Sequence, residues 1–259
     1  MSTNPAPNAP AALWKTCLDI ENQDAGHYLE NVNRPLIELI DGAPRRVLEL
    51  GCAAGHFGAV LKERFPGVSV VGVDANRAAA DAAAKRLDRV ICARLEELDF
   101  TAHGLAEHAF DAVIAADILE HLVNPWRLLE RLRTLLAPGG QLLASIPNVR
   151  NLTLVSDVLQ AGRWAYQPQG LLDITHLRFF TLAEMRRMFA ETGYQPEKFG
   201  AVISRGLNET YGQHRNAQSA TIQLGRLTLS GVTPSELLEL CAEQFLFRCR
   251  PVETSAPPP

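Results

Sequence analysis

Short apolar runs alternate with segments of helical periodicity along residues 45–150. Runs rich in Val, Leu and Ile predict strands that are covered on both faces, and the intervening segments carry apolar residues at helical spacing. Strands that alternate with helices are typical of a parallel, doubly wound α/β sheet. The predicted strands are 45–50, 68–73, 89–93, 110–115, 141–146, 198–204 and 244–250, and the predicted helices are 57–65, 77–87, 125–136, 152–159 and 182–191.

Residues with known end preferences mark two of the helices. Asn124 followed by Pro125 predicts a helix start, because Asn is a preferred N-cap and Pro fits the first helical position. Thr181 with Glu184 three residues later predicts a second start with a capping box. Gly193 predicts the end of that second helix.

Composition and charge narrow the class of protein. The chain has 259 residues, a net charge of −4 and 47% apolar residues, which is ordinary for a globular protein. This balance gives no electrostatic case for binding nucleic acid or an anionic membrane. No apolar run approaches the ~20 residues needed to span a bilayer, and the polar start does not resemble a secretory signal.

Five cysteines are scattered along the chain without a CxxC pair. An odd number without that spacing excludes a zinc ribbon and disfavours a disulfide framework. We therefore expect reduced thiols and a cytoplasmic location.

A small-residue turn over residues 49–55 (ELGCAAG) follows the first predicted strand. Small residues at such a turn let the backbone approach a ligand closely. Asp74 ends the second predicted strand, where a carboxylate can accept both hydroxyls of a ribose. A dinucleotide-binding turn would favour Gly at position 53 or 54, and both positions hold Ala. Turn and acid together predict a nucleoside site; the alternative is that Asp74 caps the next helix.

Four parts of the chain together resemble the class I S-adenosylmethionine-dependent methyltransferases. They are residues 49–58, Asp74, residues 119–121 (LEH) and residues 137–140 (APGG), and the resemblance covers residues 28–203. It implies a Rossmann-like α/β fold with a seven-stranded, mostly parallel sheet and an antiparallel last strand. It also implies S-adenosylmethionine as the methyl donor.

The chain is similar, more narrowly, to two groups of methyltransferases. One is the group of ubiquinone-biosynthesis O-methyltransferases. The other, carried by residues 145–150, 163–166 (RWAY) and 173–181 (DITHLRFFT), is found in bacterial polysaccharide clusters. This second similarity implies a sugar hydroxyl as acceptor, glycosyltransferases as partners and polysaccharide biosynthesis as the setting.

We predict three segments along the chain. These are an N-terminal tail and arm over 1–43, a methyltransferase domain over 44–252 and a disordered tail over 253–259. Residues 1–10 are also expected to be disordered, because both termini are rich in Pro, Ala, Ser and Thr. Cap or lid elements are expected at about 150–181 and 205–240. Most of the second segment is poorly periodic, and we assign no element to it before Pro234.

The family's residue roles imply a cofactor site along the first four strands. Asp74 would hold the ribose hydroxyls, Glu49 would orient the turn or reach the methionine amine, and Ala116 would offer its backbone to the sulfonium end. The implied cofactor-binding residues are Tyr28, Arg34, Glu49, Gly51, Ala53, Gly55, Asp74, Ala75, Leu95, Glu96 and Ala116.

Two positions of the implied cofactor site need separate comment, since one departs from the family pattern and the other has an alternative role. Many relatives have an acid for the adenine amino group where this chain has Arg94, so the Leu95 backbone or Glu96 would have to replace it. Arg34 would bind the cofactor carboxylate, as an Arg does in the ubiquinone group, or would be a surface charge on an arm helix.

A second set of polar residues follows the fourth strand. In a helical turn, Asp117, Glu120 and His121 would share one face. In the ubiquinone group and the small-RNA 2′-O-methyltransferases, the matching residues and a later His, here His176, bind a divalent cation. Two carboxylates and two imidazoles suit Mg²⁺, Mn²⁺ or Zn²⁺. The alternative is that His121 acts as a general base while Glu120 and His176 support the loops.

Trp164 and Tyr166 lie between the two polar segments. They would either stack on a sugar ring and cover the site or fill the core under a loop. We expect O-methylation of a small-molecule or sugar hydroxyl, with Glu120, His121 and His176 as the catalytic candidates. An RNA 2′-O-methyltransferase is disfavoured, because phosphate binding needs a basic track. A cofactor-binding module without turnover, acting in glycan assembly, is the third interpretation.

Overall fold

The computed structural model describes residues 17–18 and 32–252. The expected disordered tails at 1–10 and 253–259 therefore lie outside the described residues, as does Tyr28. No helix within the described ranges is long and apolar enough to cross a membrane.

The described part of the chain alternates strands and helices. Its nine strands are β1 (Arg46–Leu50), β2 (Ser69–Asp74), β3 (Arg89–Cys92), β4 (Phe110–Ala116), β5 (Leu136–Pro147), β6 (Tyr194–Ile203), β7 (Ala220–Leu224), β8 (Leu227–Val232) and β9 (Ala242–Pro251). Its eight α-helices are α1 (Arg34–Ile37), α2 (His56–Arg64), α3 (Arg77–Ala83), α4 (Pro125–Leu132), α5 (Leu152–Ala161), α6 (Leu182–Glu191), α7 (Asn208–His214) and α8 (Pro234–Cys241). Short 3-10 turns cover Leu119–His121, Arg133–Leu135 and Arg205–Leu207.

Seven strands form one twisted sheet in the order β3-β2-β1-β4-β5-β9-β6. The pairs among β1 to β5 are parallel, whereas β9 runs antiparallel to both β5 and β6. The predicted sheet, with its antiparallel last strand, is confirmed. The chain adds β2 and β3 on one side of β1 and then β4 and β5 on the other side, so the strand order reverses between β1 and β4. Open α/β sheets bind ligands at such a switch point.

Two apolar clusters cover the two faces of this sheet. The α4 helix shows why: Leu128, Leu129 and Leu132 are buried on one side of it. The Asn124 side chain accepts a hydrogen bond from the Arg127 amide at 3.0 Å, and Pro125 occupies the first helical position, as predicted.

Two local predictions need correction. Residues 138–140 do not precede β5 but form a bulge within it, because Leu136 already pairs with Phe110 before the register shifts. The Thr181 hydroxyl caps α6 as expected. The Glu184 carboxylate does not complete the predicted capping box, because it forms an ion pair with Arg187 at 2.6 Å on the helix surface.

The weakly periodic segment 207–240 folds as a separate layer. The β7–β8 hairpin and helices α7 and α8 enclose a third apolar cluster with the start of α5. A capping box between Thr233 and Glu236 begins α8. The buried members of this cluster are Leu152, Leu207, Ala220, Ile222, Val232, Leu237, Leu240 and Cys241.

Candidate active site

A cleft of about 850 Å³ opens at the carboxyl ends of β1 to β4. It brings together two groups of residues from distant parts of the sequence. One group comes from the strand ends: Glu49, Gly51, Cys52, Ala53, Ala54, Val73, Asp74, Ala75, Ala93, Arg94, Leu95, Glu96 and Ala116. The other group comes from the arm, the turn after β4, the loop before α6, and β6 and β9: Val32, Asn33, Asp117, Ile118, His121, Leu122, Pro168, Gln169, Asp173, Thr175, Val202 and Gln244.

The turn after β1 has the shape that its small residues predict. Gly51, Ala53 and Gly55 all adopt positive φ angles, of 62°, 46° and 79°. A Cβ atom on Gly51 would lie 2.7 Å from the Ile118 Cδ1 atom, so this position has no room for a side chain. The turn therefore lines the cleft with backbone, which is the surface that a closely held ligand requires.

Asp74 ties this turn to the end of β2. Its Oδ2 atom accepts a hydrogen bond from the Ala53 amide and its Oδ1 atom from the Asn76 amide, both at 2.8 Å. Burial raises the pKa of Asp74 above its ordinary value, and these two backbone bonds oppose the shift. Each carboxylate oxygen accepts more than one hydrogen bond, so both retain capacity for a hydroxyl of a bound ligand.

Glu49 is a buried acid beneath the same turn. It accepts a hydrogen bond from the Gly58 amide, while its Oε2 atom has no hydrogen-bond partner among the described residues. Burial, the largest cause, raises the pKa of Glu49 to about 8. The carboxyl group is therefore protonated at neutral pH until a donor or a cationic group satisfies it.

The end of β3 supplies two of the predicted residues. Leu95 is buried in the cleft wall. The Glu96 carboxylate accepts hydrogen bonds from the amides of Val123 (3.2 Å) and Asn124 (2.8 Å), which fixes the turn before α4. Arg94, in the position where relatives carry an acid, forms an ion pair with Glu97 at 3.5 Å.

The N-terminal arm places a different residue in the cleft from the one predicted. Arg34 is exposed at the start of α1 and lines a separate depression with Val60 and Glu63. The expected contact of Arg34 with the cofactor is therefore not supported by its position. Asn33 lines the cleft instead, and its Nδ2 atom donates to the Gln244 Oε1 atom at 3.3 Å.

Asp117 does not share a helical face with the two residues that follow it, contrary to the prediction. Its φ angle is 49°, so the chain leaves β4 in a left-handed conformation and the 3-10 turn begins only at Leu119. The Asp117 carboxylate accepts a hydrogen bond from the Ser145 hydroxyl at 2.9 Å. Asp117 therefore does not join the other three predicted metal ligands.

Glu120, His121 and His176 do come together, and we call them the Glu-His-His cluster. One possible ligand atom from each lies within 4.8 Å of the others. The two imidazole rings meet edge to face with centroids 4.7 Å apart, and the His176 Nε2 atom lies 3.9 Å from the Glu120 Oε1 atom. His121 lines the cleft, whereas Glu120 and His176 lie behind it.

The protonation of this cluster follows from its burial. Both carboxyl oxygens of Glu120 are buried without a hydrogen-bond partner among the described residues. Burial raises the pKa of Glu120 well above its ordinary value, and the charges of Asp117 and Asp173 add to the shift. Burial also lowers the pKa of His121 to about 4 and lowers that of His176. Each of these shifts favours the uncharged form of its group, a protonated carboxyl at Glu120 and neutral imidazoles at His121 and His176.

The loop before α6 forms the outer wall of the cleft. Trp164 and Tyr166 are 40% and 44% exposed, so the interpretation that they fill the core is wrong. The Trp164 ring packs against Phe179 with a centroid distance of 5.2 Å, next to the segment that contributes Pro168 and Gln169 to the wall.

Several lining residues were not among the predicted site residues: Cys17, Asn33, His56, Pro168, Gln169, Asp173, Thr175, Val202 and Gln244. A signal existed for His56, which belongs to the segment 49–58, and for Asp173 and Thr175, which belong to the segment 173–181, because both segments resemble known methyltransferases.

Comparison with known proteins agrees with the geometry of the cleft. Residues 24–198 match the family model described as a methyltransferase domain. The chain belongs to this methyltransferase family. The resemblance to S-adenosylmethionine-dependent methyltransferases is thereby confirmed, while the narrower ubiquinone-type and polysaccharide-cluster resemblances stay predictions.

Two curated relatives show how far the sequence similarity extends. A trans-aconitate 2-methyltransferase of Methylobacterium radiotolerans is 36% identical over 139 residues, which cover 51% of this chain and 52% of the relative. A demethylmenaquinone methyltransferase of Thermus thermophilus is 37% identical over 105 residues, which cover 40% of this chain and 48% of the relative. The chain thus spans about half the length of these curated relatives.

A solved structure extends the similarity of the fold. An S-adenosylmethionine-dependent methyltransferase from Archaeoglobus fulgidus superposes with a TM-score of 0.59 at 17% identity. The superposition covers 92% of this chain and 96% of that one. At this identity the likeness concerns the fold alone.

Proposed function

We propose that the protein transfers a methyl group from S-adenosylmethionine to a hydroxyl oxygen of a small, uncharged polar acceptor, with saccharides as the favoured class. The observation that carries the proposal is one cleft that is lined both by Asp74 with the backbone turn and by His121.

The part of the cleft around Asp74 suits the methyl donor. When bound, S-adenosylmethionine supplies an electrophilic methyl group on a sulfonium, so the protein's task is alignment and exclusion of water. Asp74 would hold the ribose hydroxyls with its remaining lone pairs. Glu49, with one oxygen unpartnered among the described residues, fits the ammonium group of the methionine part. Leu95 and the Ala75 backbone would contact the adenine.

The part of the cleft around His121 suits a hydroxyl group as the methyl acceptor. His121 is neutral, because burial lowers its pKa, and a neutral imidazole nitrogen accepts the hydrogen bond of an alcohol. Accepting that proton as the oxygen attacks is general-base catalysis, typically worth roughly 10²–10⁴-fold in rate. Asn33, Gln169 and Gln244 line the same cleft with groups that both donate and accept hydrogen bonds.

The charges of the cleft favour an uncharged acceptor. Five acids line it, Glu49, Asp74, Glu96, Asp117 and Asp173, of which Glu49 is protonated at neutral pH until a ligand satisfies it. Arg94 is the one Lys or Arg side chain in its wall among the described residues.

The same charges weigh against anionic acceptors. Polycarboxylates and phosphates are usually held by Arg or Lys, often as bidentate pairs. Methylation of a carboxylate, as the names of the trans-aconitate relatives indicate for those proteins, is therefore disfavoured here. RNA is disfavoured for the same reason.

A divalent cation is a second candidate, favoured by one observation. Glu120 is fully buried with both oxygens unpartnered among the described residues, and two neutral imidazoles lie within reach. Such a donor set fits Zn²⁺ or Mn²⁺ better than Mg²⁺, which prefers oxygen ligands. The Glu-His-His cluster would hold the ion, which would lower the pKa of an acceptor hydroxyl. Elemental analysis of purified wild type and Glu120→Gln tests this: equal, negligible metal content in both would rule it out.

Transfer of a labelled methyl group tests the proposed activity. Purified protein receives labelled S-adenosylmethionine and fractionated bacterial extract, with and without EDTA. We expect label in a saccharide or lipid-linked saccharide fraction. His121→Gln should reduce the label, whereas His103→Gln, outside the cleft lining, should not.

Three other outcomes of this experiment would change the account. Label in RNA would favour the 2′-O-methyltransferase alternative, and loss of label with EDTA would favour the cation. Cofactor binding without label in any fraction would favour a binding module. Glycosyltransferase partners stay a prediction from the resemblance, and a cytoplasmic location stays a prediction from the cysteine pattern.

A further inference from the structure

We propose that Asp173 and Thr175 are positioning residues that fix the tautomer and the orientation of His121. The two residues belong to the loop before α6, and 54 positions separate Thr175 from His121. The catalytic consequence rests on the proposed function, whereas the tautomer itself is measurable without any substrate.

The hydrogen bonds around Thr175 determine which way each proton points. The Thr175 hydroxyl donates to the Asp173 Oδ1 atom at 2.7 Å, and the Thr175 amide donates to the same oxygen at 2.8 Å. A hydroxyl has one proton and two lone pairs. Because its proton points to Asp173, the Thr175 Oγ1 atom presents only lone pairs to its other neighbour.

That other neighbour is the Nδ1 atom of His121. It lies 3.0 Å from the Thr175 Oγ1 atom and 3.3 Å from the Thr175 carbonyl oxygen. Both partners act as acceptors, so in the neutral ring the Nδ1 atom carries the proton. The Nε2 atom therefore carries the lone pair and is the nitrogen left to accept a hydrogen bond from an acceptor hydroxyl.

Two further contacts hold the ring in this orientation. The carbonyl oxygen of Glu120 accepts hydrogen bonds from the amides of Leu177 (2.8 Å) and Arg178 (3.0 Å), which ties the loop to the turn that carries His121. The edge of the His176 ring packs against His121. The loop therefore supplies both the hydrogen-bond acceptors and the packing that set the ring.

Substitutions at position 175 separate the hydroxyl from the shape of the side chain. Thr175→Val keeps a branched side chain but removes the Oγ1 atom, so His121 loses its better-placed acceptor. Thr175→Ser keeps the hydroxyl and should restore the wild-type arrangement. Thr134→Val is the matched control, because the Thr134 hydroxyl donates to a backbone carbonyl at 2.9 Å on an exposed turn outside the cleft lining.

The decisive measurement is the nitrogen NMR spectrum of histidine-labelled protein near neutral pH, without cofactor or acceptor. The His121 signals are assigned from their absence in His121→Gln. We expect a protonated Nδ1 atom and an unprotonated Nε2 atom in wild type, in Thr175→Ser and in Thr134→Val. Thr175→Val should populate the Nε2-protonated form. A protonated Nε2 atom in wild type, or an unchanged spectrum in Thr175→Val, would overturn the inference.

Kinetics connects the tautomer to catalysis once an acceptor is known. Loss of a partner that orients a functional histidine typically costs roughly 10–100-fold in activity. We expect Thr175→Val to lower kcat by that factor with KM for the acceptor within about twofold, and Thr175→Ser to recover most of it. A tautomer shift in an active Thr175→Val variant would contradict the base role of His121 but not the positioning.

Discussion

Replacing Glu49 by Gln should change how the stability of the protein depends on pH. Burial raises the pKa of the Glu49 carboxyl from 4.5 to about 8, so the folded protein holds a proton there that the unfolded chain has lost. Between these two values the unfolded state binds fewer protons, and the free energy of unfolding falls as pH rises. Glutamine keeps the acceptor for the Gly58 amide but does not titrate.

The expected size follows from the shift. Each pKa unit corresponds to about 1.4 kcal/mol, so the difference between 4.5 and about 8 amounts to roughly 5 kcal/mol in total. Between about pH 5.5 and 7.5 the wild type should lose roughly 2–3 kcal/mol of unfolding free energy relative to Glu49→Gln. Other buried acids, such as Glu120, titrate in both proteins and cancel in the difference.

Urea unfolding followed by circular dichroism at several pH values and constant ionic strength measures this difference. Glu63→Gln, an exposed change on the neighbouring helix, should reproduce the wild-type profile. Parallel profiles for wild type and Glu49→Gln would refute the reasoning, because they would mean that Glu49 is already ionised in the folded protein.

Three further substitutions test separate parts of the cleft. Asp74→Ala removes an acceptor of two backbone hydrogen bonds and should weaken S-adenosylmethionine binding, measured by calorimetry, by about 2–4 kcal/mol, whereas exposed Asp81→Asn should not. Trp164→Ala should raise the acceptor KM without changing cofactor affinity, because the exposed ring lies on the loop that walls the cleft; an unchanged acceptor KM would contradict a role of Trp164 in covering the site. Gly51→Ala should lose more stability in urea than Gly67→Ala, because both have positive φ but only position 51 meets a side chain; equal losses would leave backbone strain as the whole cause.

The strands at the centre of the main sheet, such as β1 and β4, were predictable because each is a mostly buried apolar run. The edge strand β6 is largely polar and half-exposed, and it begins at Tyr194, before the predicted start at 198. The β7–β8 hairpin was not predictable, because its strands are short and half exposed. Its signal was the alternation of Ile222 and Leu224 before Gly225, whose φ of 59° makes the turn. That alternation is too brief to stand out within a polar segment.

The part of the cleft around Asp74 was predictable for a different reason. Asp74 and the turn over 49–55 are local patterns, so a single sequence shows them. Asn33 and Gln244 meet across 211 positions of the chain, and no local pattern connects them. The prediction for Asp117 assumed a helix that would continue back to that residue, and its left-handed backbone breaks that helix.

The central claim is methyl transfer to a hydroxyl in an acid-lined cleft, and the stability of the product to base tests it most directly. Purified protein is incubated with methyl-labelled S-adenosylmethionine and bacterial extract, and the labelled product is then treated with mild base. A methyl ether on a sugar survives this treatment, whereas a methyl ester of a carboxylate releases labelled methanol. The account predicts base-stable label in wild type and little label in His121→Gln. Base-labile label would contradict it and would place a carboxylate in the cleft instead.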